Sequence, residues 1–331
     1  MSTFRILSLD GGGIRGIITA TMLQRLSADQ RLRGWLDSAD LIAGTSTGGL
    51  LALGLAHGVD LQRIRDLYET KGREIFDDSW LDDLVDLGQV AGAEYDNRKL
   101  ERELRSIFGE TTLAQLQKRV LITAFDLDNE SADLKRRTWK PKLFHNFPGP
   151  DSDGAALAYK TGLYTSAAPT YFPSVDGYID GGVFANNPSM CALTQTQDAR
   201  IRNHPALSEI VLLSLGTGTP LVYVPGKRLD WGFAQWAQPL ISLMLDGVSG
   251  IADYQCGKIL NERYHRLAPV LPPSVSFPLD AVKRVPDMIQ FAEGLDLSAT
   301  IQWLRKHWMP DQAGTQPAAP RRSGAARRMA R

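Results

Sequence analysis

The sequence predicts a three-layer α/β fold, with a mostly parallel central sheet covered by helices on both faces. Short apolar runs alternate with longer helical patterns along the chain, as parallel strands joined by helical crossovers require. Two of the runs, Val120 to Phe125 and Ile210 to Leu215, are almost continuously apolar, which fits strands buried on both sides. The stretch from Gly49 to Ala56 reads as a helix apolar on nearly every face, and such a helix must itself be buried.

Phe4 to Leu9 is the first strand and Ile17 to Leu26 the first helix. Between them, LSLDGGGIRG (Leu7 to Gly16) carries four glycines. Gly11, Gly13 and Gly16 satisfy the G-x-G-x-x-G spacing of a dinucleotide site. That reading also needs an acidic residue closing the second strand. The second strand, Leu41 to Ala43, runs instead into Gly44-Thr45-Ser46-Thr47-Gly48. A G-x-S-x-G sequence between a strand and a buried helix is the setting of a nucleophile elbow, whose tight turn projects its central residue while small neighbours avoid clashes. Ser46 is thereby placed as a nucleophile. Gly11, Gly12 and Gly13, at the mouth of the first helix, then offer backbone N–H donors suited to an oxyanion.

An acidic helical pattern surrounds Asp77 to Asp86, and a charged one runs from Arg98 to Ile107. Asp77, Asp78, Asp82, Asp83 and Asp86 lack the alternating ligand spacing and glycine of a calcium loop. No H-E-x-x-H or paired C-x-x-C occurs, so the chemistry is expected to need no metal. Asn146 to Gly154 is a loop by its Pro, Gly and Asp content. Tyr178-Ile179-Asp180-Gly181-Gly182 reads as a strand ending in a carboxylate at a glycine turn, and Pro188 suits the start of a helix over Met190 to Gln197 capped by Asn187. Alone, D-G-G is an ordinary turn. Beside Ser46 and the glycine loop, Asp180 gains a role as the acceptor of the serine proton.

At 331 residues, 43% hydrophobic and 22% charged, the chain can bury a large core. Its 37 Lys and Arg balance 37 Asp and Glu, so no basic field calls for a nucleic acid polymer. Arg321, Arg322, Arg327, Arg328 and Arg331 concentrate in an Ala- and Pro-rich end whose composition cannot bury a core. The expected organisation is a domain over 1–312 and a disordered tail over 313–331. Cys191 and Cys256 are too few for a disulfide scaffold and fit a reducing cytoplasm. The N-terminus enters a strand without the pattern of a secretory signal. The longest uncharged span, Leu41 to Val59, is broken by Gly, Thr, Ser and His and reads as strand, turn and helix rather than a membrane span.

Leu229 to Ile251 gathers Trp231, Phe233, Trp236, Leu240, Leu243, Met244 and Leu245 with few charges. Apolar residues at helical spacing are first of all core. The alternative is an interfacial flap or a wall for an acyl chain. Trp303 and Trp308 pose the same question.

Taken together, DGGGIRG at Asp10 to Gly16, GTSTG at Gly44 to Gly48 and DGG at Asp180 to Gly182 resemble the patatin-like phospholipases, lipid acyl hydrolases with a Ser-Asp dyad. SAAPTYFP at Ser166 to Pro173 and Asn186-Asn187-Pro188 are similar to that family as well, and beyond about Thr219 the likeness is thin. The resemblance implies an acyl-enzyme on Ser46, Asp180 as the base, an oxyanion hole at Gly11, Gly12 and Gly13, and no cofactor. It gives Gly44, Gly48, Gly181, Gly182 and Arg15 supporting roles. Arg15 is open to three readings: a solvated helix-start residue, a support for the loop, or a contact to an anionic head group. The implied substrates are fatty acyl esters of membrane phospholipids, met peripherally from the cytoplasm. Bacterial members of the family include antiviral effectors switched on by cyclic nucleotides, so a small-molecule activator is compatible with this chain.

Two alternatives stay open at this level. A Ser-His-Asp esterase remains, since His204, His265 and His307 follow Asp180 in the required order, while His57 and His145 precede it. A non-catalytic lipid-binding module also remains, although both Ser46 and Asp180 are present.

Overall fold

Among the described residues, strand β1 (Phe4–Leu9) sits inside a seven-stranded sheet. Its parallel array runs β3 (Arg119–Asp126), β2 (Leu41–Thr45), β1, β6 (Ile210–Leu215) and β7 (Tyr264–Leu267). Two antiparallel strands, β4 (Lys140–His145) and β5 (Tyr178–Asp180), pair with β3. The computed structural model describes residues 3–72, 97–169, 171–226, 230–272 and 277–310, with backbone alone at 233, 234, 237–239 and 241. The Asp77 to Asp86 pattern, Leu229 and the expected tail lie outside these residues.

The alternation of side chains along each strand divides the core into two layers. Leu7, Leu9, Ile42, Val120, Ile122 and Leu213 point to one face, and Ile6, Leu41, Ala43, Leu121 and Leu212 to the other. The first face is covered by α1 (Gly16–Ala28), α2 (Thr47–His57), α4 (Asn97–Phe108) and α5 (Ala158–Ser166), and α3 (Leu61–Asp66) packs beside α1 and α2. The second is covered by α7 (Ser189–Gln195) and by the C-terminal half of the long helix α8 (Phe233–Leu260), through Ala192, Leu193, Cys256 and Leu260. Each fully buried Leu or Ile contributes about 1.5–3 kcal/mol, so a one-residue slip of any central strand would exchange the layers at prohibitive cost. A third cluster joins Ile14, Ile17, Ile18 and Met22 to Val285, Met288 and Ala292 of α9 (Val285–Glu293). The chain continues into α10 (Ser298–Trp303), and fully buried Trp308 then meets Trp35 edge to face at 5.9 Å. Trp308 is therefore core.

Among the described residues, the strands and helices expected from the sequence are present, with ends that differ by at most two residues. The consequential differences lie at the motifs. Strand β2 continues to Thr45 and α2 starts at Thr47, so the elbow is a single residue, Ser46. Helix α7 begins at Ser189, one residue before the expected Met190, and Asn187 Oδ1 accepts from the Ser189 amide at 3.0 Å.

The core expectation for the Trp- and Leu-rich segment is overturned in part. Leu240, Leu243 and Met244 are 46–49% exposed. Helix α8 already spends its other face on the sheet, so these side chains have nothing left to pack against. Among the described residues, no helix is long and apolar enough to cross a membrane.

Candidate active site

Strand β3 sets the distance between Ser46 and Asp180. One edge of β3 pairs with β4 from Leu121 to Asp126, so β2 and β5 must share the other edge. Along it, Thr45 is opposite Thr123 at the end of β2, and Asp180 is opposite Ala124 at the end of the oppositely directed β5. The two strands meet end to end, and the residues at their tips, Ser46 and Asp180, are brought together. The contact is made from residues 134 apart in sequence, through nothing more than strand register.

Ser46 adopts φ 53° and ψ −127°, a conformation that an L residue keeps only where its surroundings impose it. Gly44 and Gly48 supply those surroundings. A methyl group on Gly44 would lie 2.2 Å from the Gly48 carbonyl oxygen, and one on Gly48 would lie 2.2 Å from that of Leu9. The Ser46 amide donates to Thr165 Oγ1 at 2.8 Å, and the Thr45 hydroxyl donates to the Ala185 carbonyl at 2.6 Å.

Asp180 is 5% exposed. Burial pushes its carboxyl up from 3.8 to about 6, while hydrogen bonds from the Ser46 hydroxyl and the Gly182 amide hold it back from rising further. The Gly182 bond measures 2.7 Å. Gly181 runs so close over β3 that a methyl group on it would sit 2.2 Å from Thr123 Oγ1. Helix α6 (Gly182–Ala185) begins immediately after it.

The glycine loop departs from the sequence expectation in one respect. The Gly11 amide donates to the Asn186 carbonyl at 3.0 Å, so it is not a free oxyanion donor. The Gly12 and Gly13 amides have no acceptor among the described residues. Gly13 has φ 55°, and its Cα faces the Leu279 carbonyl. The Arg15 guanidinium reaches the loop, donating to the Gly12 carbonyl at 3.4 Å and to the Gly218 carbonyl at 3.2 Å. Burial lowers its pKa, opposed by the nearby carboxylates of Asp246 and Asp10.

Sequence reasoning missed two supports of this loop. Thr217 donates to the Gly11 carbonyl at 2.9 Å. Arg266 on β7 pairs with Asp10, which is 3% exposed. Thr217 had a signal, the small-residue run Gly216-Thr217-Gly218-Thr219 closing a central strand next to the first, where α/β sheets bind ligands. Arg266 had none, since its role depends on β7 pairing with β6.

These residues open on a cavity of about 640 Å³ lined by Gly12, Gly13, Ser46 and Asp180 and by apolar side chains including Leu104, Phe108 and Phe172. No histidine is among its described lining residues. His265 bonds Thr300 and stacks on Trp303, His145 packs on Phe147, His57 on Phe108, and His307 stacks on Trp303. His204 is exposed. Burial lifts the thiols of Cys191 and Cys256 to about 11 and about 12, which leaves neither suited to nucleophilic work.

An α/β sheet with a strand–Ser46–helix turn lining a largely apolar cavity is the architecture of a lipid acyl hydrolase. The chain belongs to the patatin-like phospholipase family, whose model matches residues 7–193. It is 30% identical over 288 residues to a cGAMP-activated phospholipase of Pseudomonas aeruginosa, covering 86% of this chain and 83% of that protein. It is 34% identical over 235 residues to a cGAMP-activated phospholipase of Vibrio cholerae, covering 64% of each, slightly under two thirds. A third relative, patatin-like protein 1 of Oryza sativa, is 31% identical over 75% of this chain and 68% of its own length. Arg266 and the whole of α8 lie beyond the part that the family model matches.

Proposed function

We infer that the chain hydrolyses fatty acyl esters of membrane phospholipids through an acyl-Ser46 intermediate. Ser46 Oγ attacks the acyl carbonyl as its proton passes to the Asp180 carboxylate, and the Gly12 and Gly13 amides receive the charge that builds on the carbonyl oxygen. Collapse breaks the ester bond, and Asp180 returns the proton to the departing alcohol of the lysolipid. Water then enters and attacks the acyl carbonyl as it gives a proton to Asp180; the bond to Ser46 Oγ breaks, Asp180 returns that proton to Ser46 Oγ, and the fatty acid leaves. The observation that carries this reading is the meeting of Ser46 with a buried carboxylate, raised toward neutral pH, in the wall of a largely apolar cavity whose described lining holds no histidine.

A carboxylate is a weak base for a serine hydroxyl, and raising its pKa toward working pH improves the match. Because two relatives are named for activation by cGAMP, we extend the proposal to activation by a cyclic dinucleotide in a cytoplasmic antiviral role, with the membrane met peripherally. The test is mass spectrometry of lipids released from mixed vesicles, with and without cyclic dinucleotides, alongside a fluorophosphonate label mapped to its peptide. Released fatty acid with label on Ser46 supports the reading. Label on any other residue ends it.

A further inference from the structure

Helix α8 is apolar on two opposite sides. Its inner side gives Ala252, Cys256 and Leu260 to the core. On its outer side Leu240, Leu243, Met244, Ile251 and Tyr254 follow one another at helical spacing and fall within an arc of about 100°. They are exposed, Ile251 to 52% and Tyr254 to 63%. Gly247 lies on the same arc and Gly250 just beyond its edge, both with open space where a Cβ would stand. Asp246 and Asp253 turn away from it, and Lys258, whose ammonium lies 5.5 Å from the centre of the Tyr254 ring, ends it with a cation.

This stripe is continuous with the proposed catalytic cavity. Met244 lines that cavity and is also half exposed. Val222, from the loop after β6, lines it from another side and is 79% exposed. The apolar surface that would hold an acyl chain thus runs out past Met244 onto the outer side of α8.

We propose that the outer stripe of α8 is a membrane-docking surface, which seats the chain on a phospholipid bilayer with the cavity mouth facing the acyl region. Continuity argues for a bilayer. A lipid leaving the membrane for Ser46 would pass from one apolar environment to another without crossing water, and the cation at the end of the stripe suits the head-group level. The proposal rests on the phospholipid reading of the site, and its test needs no turnover.

The experiment is vesicle flotation of the full chain and of Leu243→Glu/Ile251→Glu. Neither residue lines the cavity. Vesicles are phosphatidylethanolamine with about a quarter phosphatidylglycerol, at about 0.15 M and about 1 M salt, conditions that separate apolar insertion from screened charge attraction. The bound fraction of the double variant is expected to fall about tenfold or more, while the parent's binding persists at high salt and a water-soluble short-chain ester is cleaved equally by both. Ser46→Ala is expected to float like the parent, which keeps docking distinct from catalysis. Equal flotation of parent and double variant overturns the proposal, as does parent binding that vanishes at high salt. So does sedimentation showing that the stripe is covered by a second copy of the chain at the concentrations used for flotation.

Discussion

Arg266 and Asp10 form a buried ion pair behind the glycine loop, with Nη1 to Oδ1 at 2.8 Å and Nη2 to Oδ2 at 2.5 Å. The same guanidinium donates to Ser214 Oγ at 2.7 Å, and the Asp10 amide donates to the Leu215 carbonyl at 3.0 Å. The loop is therefore held from both β6 and β7. Removing one member of such a pair leaves the other charged and dry. Arg266→Met and Asp10→Asn are each expected to cost about 3–5 kcal/mol, and the double variant less than the sum by about 1–3 kcal/mol. Denaturant unfolding of the four proteins checks this, and strict additivity would remove the pair from the support of the loop.

Backbone strain at Ser46 predicts an opposition between stability and activity. Ser46→Ala keeps the left-handed φ of 53° and so keeps its cost, whereas Ser46→Gly relieves it. Strain of this kind is worth about 1–3 kcal/mol, and glycine gives back about 1 kcal/mol in chain entropy. Ser46→Gly is expected to be about 0–2 kcal/mol more stable than Ser46→Ala, with both inactive. A Ser46→Gly protein about 1 kcal/mol less stable than Ser46→Ala in denaturant melts would mean that the elbow is not strained.

Much of this site was legible in the sequence because its chemistry sits in short, contiguous motifs. Gly44, Ser46 and Gly48 are set by one turn, and a turn is a local event. The geometry that joins Ser46 to Asp180 was not legible, because it follows from two strands sharing one edge of β3. Gly11 shows the limit most clearly. Its N–H looked like a third oxyanion donor until the fold brought the Asn186 carbonyl within 3.0 Å. The outer side of α8 misled for a related reason: helical spacing reports an apolar face and says nothing of whether a neighbour is there to cover it.

Gly12 offers a test of the oxyanion donors that is free of that ambiguity. A methyl group on Gly12 would not enter the cavity first; it would meet the Thr217 side chain, with Oγ1 at 2.1 Å and Cβ at 2.6 Å. Gly12→Ala alone is therefore expected to disturb both stability and turnover. Thr217→Gly removes the obstructing atoms, so Gly12→Ala/Thr217→Gly is expected to recover part of both. Loss of one oxyanion donor costs about 10²- to 10³-fold in turnover, and the double variant should regain at least about tenfold of that. A double variant no faster than Gly12→Ala would show that the Gly12 amide does not depend on the fit with Thr217.

The proposed Ser46–Asp180 dyad makes a prediction in which pH, stability and activity must agree. Asp180 has to be ionised to take the Ser46 proton, and burial raises its carboxyl to about 6, so kcat/KM on a soluble ester is expected to fall below pH about 6 along a single acid limb. The stability consequence has the opposite sign. Between the ordinary carboxyl value of 3.8 and about 6 the folded protein holds this proton more tightly than the unfolded chain does, so stability is lost as pH rises through that window. A shift of about two units corresponds to about 3 kcal/mol at 1.36 kcal/mol per unit. Asp180→Asn removes the buried charge and can still accept from the Gly182 amide. It is expected to be about 1–3 kcal/mol more stable than the parent at pH 8, with the gap closing below pH about 4, while its turnover falls about 10³-fold or more. Each of the five His→Ala variants is expected to keep substantial activity and the same acid limb. A histidine whose loss matches that of Asp180, or an Asp180→Asn protein that is inactive and also less stable at pH 8, would show that the carboxylate supports the fold or a triad instead of acting as the base.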